Sequence, residues 1–168
     1  MNATFIEASE IAPGLWQGSF PLPGHFLRRA GFHTLVLAAC DHQPGAHLFP
    51  GLEVARIRLQ DDGSPVPHAQ FLEACRLASH LARCIKRGEN VLVTCRHGRN
   101  RSGLVSALTL VALTGSSGRR AAEIVQERRN SPYGPALTNS AFVRTLKQIP
   151  GRAPRTIVTA TARAEAGV

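Results

Sequence analysis

The stretch Val91-Leu92-Val93-Thr94-Cys95-Arg96-His97-Gly98-Arg99-Asn100-Arg101-Ser102-Gly103 decides the fold, because it joins two apolar segments through a short polar loop. The β-branched run before Cys95 predicts a buried parallel strand, and residues 104–113 predict a helix that is apolar on nearly all sides. The loop therefore leads into a helix N-terminus, where backbone N–H groups favour a bound anion. We expect a phosphate-binding loop that carries a nucleophilic thiol.

The residue types in this loop suit phosphoryl transfer. A thiol beside a helix N-terminus and several cations ionises more readily than free cysteine, so we expect Cys95 to react as a thiolate. The planar guanidinium of Arg101 can hold two phosphoryl oxygens, a geometry that lysine cannot supply. Gly98 permits a tight turn close to the phosphate, and the Ser102 hydroxyl can donate to the sulfur when a phosphocysteine breaks down.

The remaining loop residues are predicted to bind substrate. Arg96, His97 and Arg99 add positive charge at the rim of the site. The backbone amides of the loop, from Arg96 through Gly98 to Asn100, are expected to hold the phosphoryl oxygens.

The pattern Cys-x-x-Gly-x-x-Arg-Ser in this loop resembles the signature of the cysteine-dependent protein tyrosine and dual-specificity phosphatases. The resemblance implies a hydrolase of phosphorylated proteins that needs no metal and no other cofactor. Residues 11–19 resemble the opening strand of that family, and residues 125–146 resemble its last two helices. The chain shows no long insertion that would build a deep phosphotyrosine cleft, so dual specificity is the preferred prediction.

A second loop, Leu59-Gln60-Asp61-Asp62-Gly63-Ser64-Pro65-Val66-Pro67, has turn chemistry and precedes a predicted helix. Expelling an alkoxide or phenolate requires a proton donor. The Asp-Asp-Gly-x-Pro pattern resembles that of the small regenerating-liver-type phosphatases, in which the second Asp is the general acid. The resemblance makes Asp62 the candidate acid and Asp61 a neighbour that shapes the loop. The alternative is that the pair only caps the helix beginning near His68.

Cys40 stands at the end of the predicted strand over residues 33–39. The same small phosphatases have a cysteine at the end of the equivalent strand, so the resemblance implies a reversible disulfide between Cys40 and Cys95. Such a bond would protect the thiolate from irreversible oxidation. The alternative is an ordinary core cysteine at a strand end.

The loop also departs from the family pattern. Thr94 occupies the position where the family usually has His, and its hydroxyl can supply a local hydrogen bond instead. The run Cys-x-His-Gly-x-Asn-Arg-Ser-Gly is close to the loop of the cysteine-type RNA 5′-triphosphatases, which gives a second candidate function, although those enzymes do not rely on an upstream Asp such as Asp62. A phosphoinositide phosphatase on the same fold and a phosphate-binding module without turnover are also compatible with this loop.

Composition indicates a single enzyme domain. With 168 residues, 43% of them hydrophobic, the chain can bury one core, and we expect a phosphatase domain over residues 1–150 followed by a flexible tail over residues 151–168. No apolar stretch reaches 18 residues and no signal peptide is recognisable, so a cytoplasmic protein is expected. The four cysteines show no Cys-x-x-Cys spacing, so neither a zinc site nor a disulfide framework is predicted.

A net charge of +9 predicts attraction to anions, so an anionic lipid or an RNA is a candidate ligand beside a phosphorylated protein. The cations occur as scattered pairs such as Arg128-Arg129, a pattern typical of solvated helix faces.

Strands and helices are predicted to alternate along the chain. Apolar patterning predicts strands near 14–17, 33–39, 53–58 and 91–94, and helices near 22–30, 68–87, 102–114, 118–130 and 138–148. This alternation predicts an α/β fold with a mainly parallel sheet of four to five strands, flanked by helices on both faces. The nucleophile would then lie at the carboxyl end of a strand.

Overall fold

The computed structural model describes residues 7–152. Its strands and helices, in chain order, are β1 (Ala8–Ala12), β2 (Leu15–Gly18), α1 (Phe26–Arg29), β3 (Thr34–Leu37), β4 (Glu53–Arg56), α2 (His68–Lys86), β5 (Val91–Thr94), α3 (Arg101–Thr114), α4 (Gly118–Arg128) and α5 (Ser140–Lys147). Two short 3-10 turns, Cys40–His42 and Ala46–Leu48, lie between β3 and β4.

The sheet has five strands in the order β1-β2-β5-β3-β4. β1 runs antiparallel to β2, and every other neighbouring pair is parallel. The last residue of β5, Thr94, is paired with Gly18 of β2 and with Leu37 of β3. Cys95 therefore leaves the sheet at the middle of its carboxyl edge, where ligands bind in folds of this class. The predicted fold class is confirmed.

The two faces of β3 and β5 are buried against different elements. Val36 and Val93 belong to a core that also contains side chains of α2, α3, α4 and α5. Leu35, Leu37 and Leu92 belong to a smaller core on the other face, which includes Leu27 from α1. Burial of each leucine contributes roughly 2 kcal/mol. Because β5 is buried on both faces, the residue that follows it starts from a rigid position.

The opening segment differs from the prediction, since two strands form where one was expected. β1 and β2 make a hairpin that reverses at Pro13-Gly14, where Gly14 has a φ of +78°. The helix expected near 22–30 is only four residues long. Pro21, Pro23 and Gly24 precede it, and these residues disfavour helix in the first half of the predicted range.

The other predicted elements are present with shifted ends. β3 ends at Leu37 rather than at residue 39, because Ala39 instead makes an isolated antiparallel bridge with Arg58 and a 3-10 turn follows. Of the predicted tail, residues 153–168 lie outside the described residues. None of the helices within residues 7–152 has the length and hydropathy required to cross a membrane.

Candidate active site

Cys95 and Ser102 lie together at the carboxyl edge of the sheet. The Cys95 residue is 2% exposed, and its Sγ lies 3.2 Å from Ser102 Oγ. Ser102 is the second residue of α3, a helix of 14 residues. The positive end of the helix dipole favours negative charge beside the first turn. The predicted neighbourhood of thiol, hydroxyl and helix N-terminus is therefore present.

Gly98 shapes the loop between Cys95 and α3. Its φ is +63°, and a Cβ at this position would lie 2.5 Å from the carbonyl carbon of Gly18 and 2.5 Å from Arg129 Nη2. The Gly98 carbonyl accepts hydrogen bonds from Gln17 Nε2 at 3.0 Å and from Arg129 Nε at 2.9 Å. Among residues 7–152, the backbone N–H groups of residues 96–100 donate to no backbone oxygen. These N–H groups are available to an anion.

Arg129 is a buried support of this loop that sequence reasoning missed. Its side chain is 0% exposed, which corrects the expectation that Arg128-Arg129 lies on a solvated helix face. Besides Gly98, it binds the Glu7 carboxylate at 2.6 Å and the Ser9 hydroxyl at 3.1 Å. The local sequence gives no sign of this, because the partners lie about 120 residues away and are reached only when α4 packs on β1.

Arg101 lies at the start of α3 with 14% of its side chain exposed. Its Nε is buried and has no hydrogen-bond partner in the described part of the chain, and the nearest opposite charge is Asp61 Oδ2 at 3.8 Å. A buried donor without a partner is costly unless a ligand satisfies it. Arg101 thus presents an open N–H group that suits an incoming oxyanion.

Asp61 and Asp62 have different surroundings although they are adjacent. Asp61 Oδ1 accepts a hydrogen bond from Asn139 Nδ2 at 2.8 Å, and its other oxygen faces Arg101. Asp62 is exposed, and its Oδ1 accepts a hydrogen bond from the Ser64 backbone N–H at 2.9 Å. That bond, and then the Ser64 hydroxyl, lower the pKa of Asp62 below its usual value. The capping alternative is wrong: α2 begins after Pro67 without a side-chain cap.

A cleft of about 300 Å³ opens beside these residues. It is lined by Arg101, by both aspartates and by Cys40, together with neighbours from the segments 39–42 and 58–62. Cys40 lies in the 3-10 turn after β3, half-buried, and both Cys40 and Cys95 are free thiols in this structure. The pairing of these two cysteines stays a prediction.

The exposed rim residues of the loop are Arg96 and His97. The His97 ring lies 5.2 Å from the ring of Tyr133, which is 51% exposed. All three side chains are exposed, so these loop residues are reachable from solvent.

Arg99 and Asn100 use their side chains on the neighbouring segment of protein. Arg99 Nε donates to the Pro135 carbonyl at 2.8 Å, and Asn100 Oδ1 accepts from the Thr138 backbone N–H at 2.8 Å. Both side chains therefore order the loop before α5. Substrate binding by these two residues stays a prediction, and it would use their backbone amides.

Thr94 belongs to a buried network directly before the nucleophile. Its Oγ1 donates to the Val36 carbonyl at 2.8 Å and accepts from Gln43 Nε2 at 2.9 Å. Gln43 Oε1 in turn accepts from the Ala39 backbone N–H at 2.8 Å. The hydroxyl makes the local bond that the sequence predicts. Gln43 was missed, because it lies in an irregular segment with no pattern of its own.

No protein-family model matches the sequence, and neither does any curated protein. Solved structures do match. A mouse putative dual specificity phosphatase, in complex with zinc tungstate, is 27% identical and superposes with a TM-score of 0.68, over 88% of this chain and 91% of that one. Human DUSP28 is 24% identical, with a TM-score of 0.66 over 83% and 92% of the two chains. PTPMT1 in complex with PI(5)P is 17% identical, with a TM-score of 0.66 over 83% and 92%.

Proposed function

We propose that this chain, which has the dual-specificity phosphatase fold, hydrolyses phosphomonoesters of proteins through a phosphocysteine intermediate. The observation that carries the proposal is the Cys95 thiol, held 3.2 Å from Ser102 Oγ at the start of α3, where the buried Nε of Arg101 has no hydrogen-bond partner in the described chain. The similarity to structures named as dual-specificity phosphatases supports the same hydrolase function.

The first step transfers the phosphoryl group to sulfur. The Cys95 thiolate attacks phosphorus in line, so that an S–P bond forms while the P–O bond to the leaving group breaks. Arg101 and the free N–H groups of residues 96–100 hold the equatorial oxygens as charge shifts among them. Asp62 gives its proton to the departing oxygen.

The surroundings of Asp62 in this structure favour its ionised form. The Ser64 N–H bond stabilises the carboxylate, so Asp62 carries a proton to the leaving group more readily once its side chain moves away from this bond. The exposure of Asp62 makes such a movement inexpensive. Asp61, bonded to Asn139, keeps the base of the loop beside Arg101 while the Asp62 side chain moves.

The second step releases phosphate. Asp62, now ionised, takes a proton from the attacking water, and the S–P bond breaks as the new P–O bond forms. The Ser102 hydroxyl donates to the leaving sulfur, which restores the thiolate. None of these residues is a metal ligand in the proposed reaction. A thiolate nucleophile must stay reduced, so we place the protein in a reducing compartment such as the cytoplasm.

A phosphoinositide is the second candidate substrate. The fold is shared with PTPMT1, whose solved complex contains PI(5)P, and the exposed Arg96 and His97 would attract an anionic headgroup. The net charge of +9 acts in the same direction.

Hydrolysis of p-nitrophenyl phosphate tests the proposal. We expect turnover by the unmodified chain, none by Cys95→Ser, and full turnover by Cys75→Ser, which removes a half-buried thiol on α2. Trapping of phosphate on Cys95 after rapid acid quench, read by mass spectrometry, identifies the intermediate. Full activity in Cys95→Ser would refute the covalent route, and inactivity of the unmodified chain would favour a binding module.

A substrate panel then separates the classes. Phosphotyrosine and phosphothreonine peptides are expected to be hydrolysed. Faster hydrolysis of a phosphoinositide, or of the γ-phosphate of triphosphate-ended RNA, would move the assignment to the corresponding enzyme class.

A further inference from the structure

A second cluster of reactive side chains lies at the opposite edge of the sheet from Cys95. Glu53 is the first residue of β4, and His80 and Cys84 lie one helical turn apart on α2. One ligand atom from each of the three residues lies within 4.8 Å of the ligand atoms of the other two. The group therefore joins the amino end of an edge strand to the last turns of a long helix.

We propose that Glu53, His80 and Cys84 form a zinc-binding site. Imidazole nitrogen, thiolate sulfur and carboxylate oxygen are the three donor types that Zn²⁺ takes in proteins. One thiolate and one carboxylate together balance the charge of the ion. Three protein ligands leave the fourth tetrahedral position to water.

The distances fit such an ion with a small adjustment. His80 Nε2 lies 3.5 Å from Cys84 Sγ, close to the separation of roughly 3.5 Å that tetrahedral Zn–N and Zn–S bonds require. His80 Nε2 lies 2.7 Å from Glu53 Oε1, and this separation must widen by roughly 0.6 Å. The Glu53 side chain is 54% exposed, so it can make that movement and it also leaves a path from solvent.

The buried end of the site is the Cys84 thiol, which is 0% exposed. Burial first, and the Glu89 carboxylate second, raise the pKa of Cys84, so Zn²⁺ must displace a proton to bind the sulfur. Arg87 Nη2 donates to this sulfur at 3.3 Å and competes with the ion for it. Its side chain is 55% exposed and also binds Glu89, so the guanidinium can turn away while it keeps that ion pair.

The proposed site departs from the expectation from sequence, where no zinc was predicted because the chain lacks a Cys-x-x-Cys pair. Glu53 also lies far from the helix in sequence. The only feature of the local sequence that indicates this site is a His and a Cys four residues apart on one helix face. The ion would link β4 to α2 away from the edge of the sheet that carries Cys95.

Zinc titration of the Cys95→Ser protein tests the proposal without interference from the Cys95 thiol. Competition with a chelating dye should show one Zn²⁺ per chain. Glu53→Gln and His80→Gln, both at solvent-accessible positions, should weaken binding by about 100-fold or more. Glu73→Gln removes an exposed carboxylate elsewhere on α2 and should leave the affinity unchanged. Arg87→Gln should tighten binding, an effect that simple damage to the fold would not produce.

Substitution of Co²⁺ for Zn²⁺ tests by absorption spectroscopy whether the Cys84 sulfur is a ligand. Co²⁺ bound in place of zinc should give a sulfur-to-metal charge-transfer band in the near ultraviolet. The band should persist in Cys75→Ser and disappear in Cys84→Ser, with circular dichroism reporting whether that buried substitution remains folded. Equal zinc affinity in the parent, Glu53→Gln and His80→Gln proteins would overturn the site, as would the absence of saturable one-to-one binding.

Discussion

The phosphate loop and the aspartate loop meet at one cleft but are held in opposite ways. The phosphate loop, residues 95–101, is fixed from below by Arg129, whose side chain is fully buried, and by the Thr94 network at its start. The aspartate loop, residues 59–65, is exposed from residue 60 onward and is bonded mainly through Asp61 and through the short-range bond between Ser64 and Asp62.

This difference follows from what each loop is proposed to do. Donors that stabilise transferring charge act best when they are already oriented, since reorganisation during the reaction raises the barrier. A proton donor must approach the leaving group and then admit water, so a loop with few fixed contacts suits it. Rigidity on one side of the cleft and freedom on the other are therefore both expected of a two-step hydrolase.

The largest effect is expected from a methyl group on the rigid side. Gly98→Ala places a Cβ against Gly18 and Arg129 at a φ of +63°, which should lower kcat more than about 10³-fold and destabilise the fold by about 3 kcal/mol or more. Gly63→Ala is the matched control, because Gly63 has a φ of +83° but nothing within 4 Å of the new Cβ. It should cost about 1 kcal/mol. Thermal unfolding and p-nitrophenyl phosphate kinetics measure both, and equal losses in the two variants would contradict the comparison.

The next effect separates the two aspartates. Asp62→Asn should lower kcat for an alkyl phosphate by about 10²-fold or more, because that leaving group needs a proton, while p-nitrophenyl phosphate turnover falls much less. Asp61→Asn weakens the contact of the loop with Arg101 and Asn139, so it should slow both substrates by similar factors. A leaving-group dependence in Asp61→Asn instead of Asp62→Asn would transfer the acid role to Asp61.

A smaller effect is expected at the buried threonine before the nucleophile. Thr94→Val keeps the shape but leaves the buried Gln43 Nε2 without its hydrogen-bond acceptor, which should cost about 1–3 kcal/mol and lower kcat roughly tenfold. Thr34→Val is the control on the adjacent strand, where the buried hydroxyl has no partner among the described residues. Thr34→Val should leave the free energy of unfolding unchanged or raise it. Denaturant unfolding compares the two, and equal destabilisation would show that the Thr94 hydrogen bonds have no special role.

The smallest effect concerns the pH profile. Ser64→Ala removes one of the hydrogen bonds that lower the pKa of Asp62, so the pKa rises and the group stays protonated to higher pH. Because the acid must carry a proton in the first step, the alkaline limb of kcat/KM for an alkyl phosphate should move upward by less than about one pH unit. If the alkaline limb moved to lower pH in Ser64→Ala, or if the same limb were still present in Asp62→Asn, a group other than Asp62 would control this part of the pH profile.

Much of the fold followed from local pattern. The strand before Cys95, the helix after it and the long helix α2 were predicted within a few residues, because each has a continuous apolar run or stripe with clear ends. The hairpin β1–β2 and the short α1 were less well predicted. The hairpin depends on the pairing of β2 with β5, which lies far away in sequence. The helix α1 is short because Pro21 and Pro23 disfavour helix in the residues before it.

By itself, the sequence determined where the reacting groups lie, because Cys95 directly follows β5 and Arg101 and Ser102 begin α3, so the strand, the helix and the short loop between them set their positions. Only the tertiary structure decided what supports them. The buried Arg129 under Gly98, the Gln43 bond to Thr94 and the Glu53–His80–Cys84 cluster all join residues that are far apart in sequence. Such contacts depend on how elements stack, and no local propensity encodes that stacking.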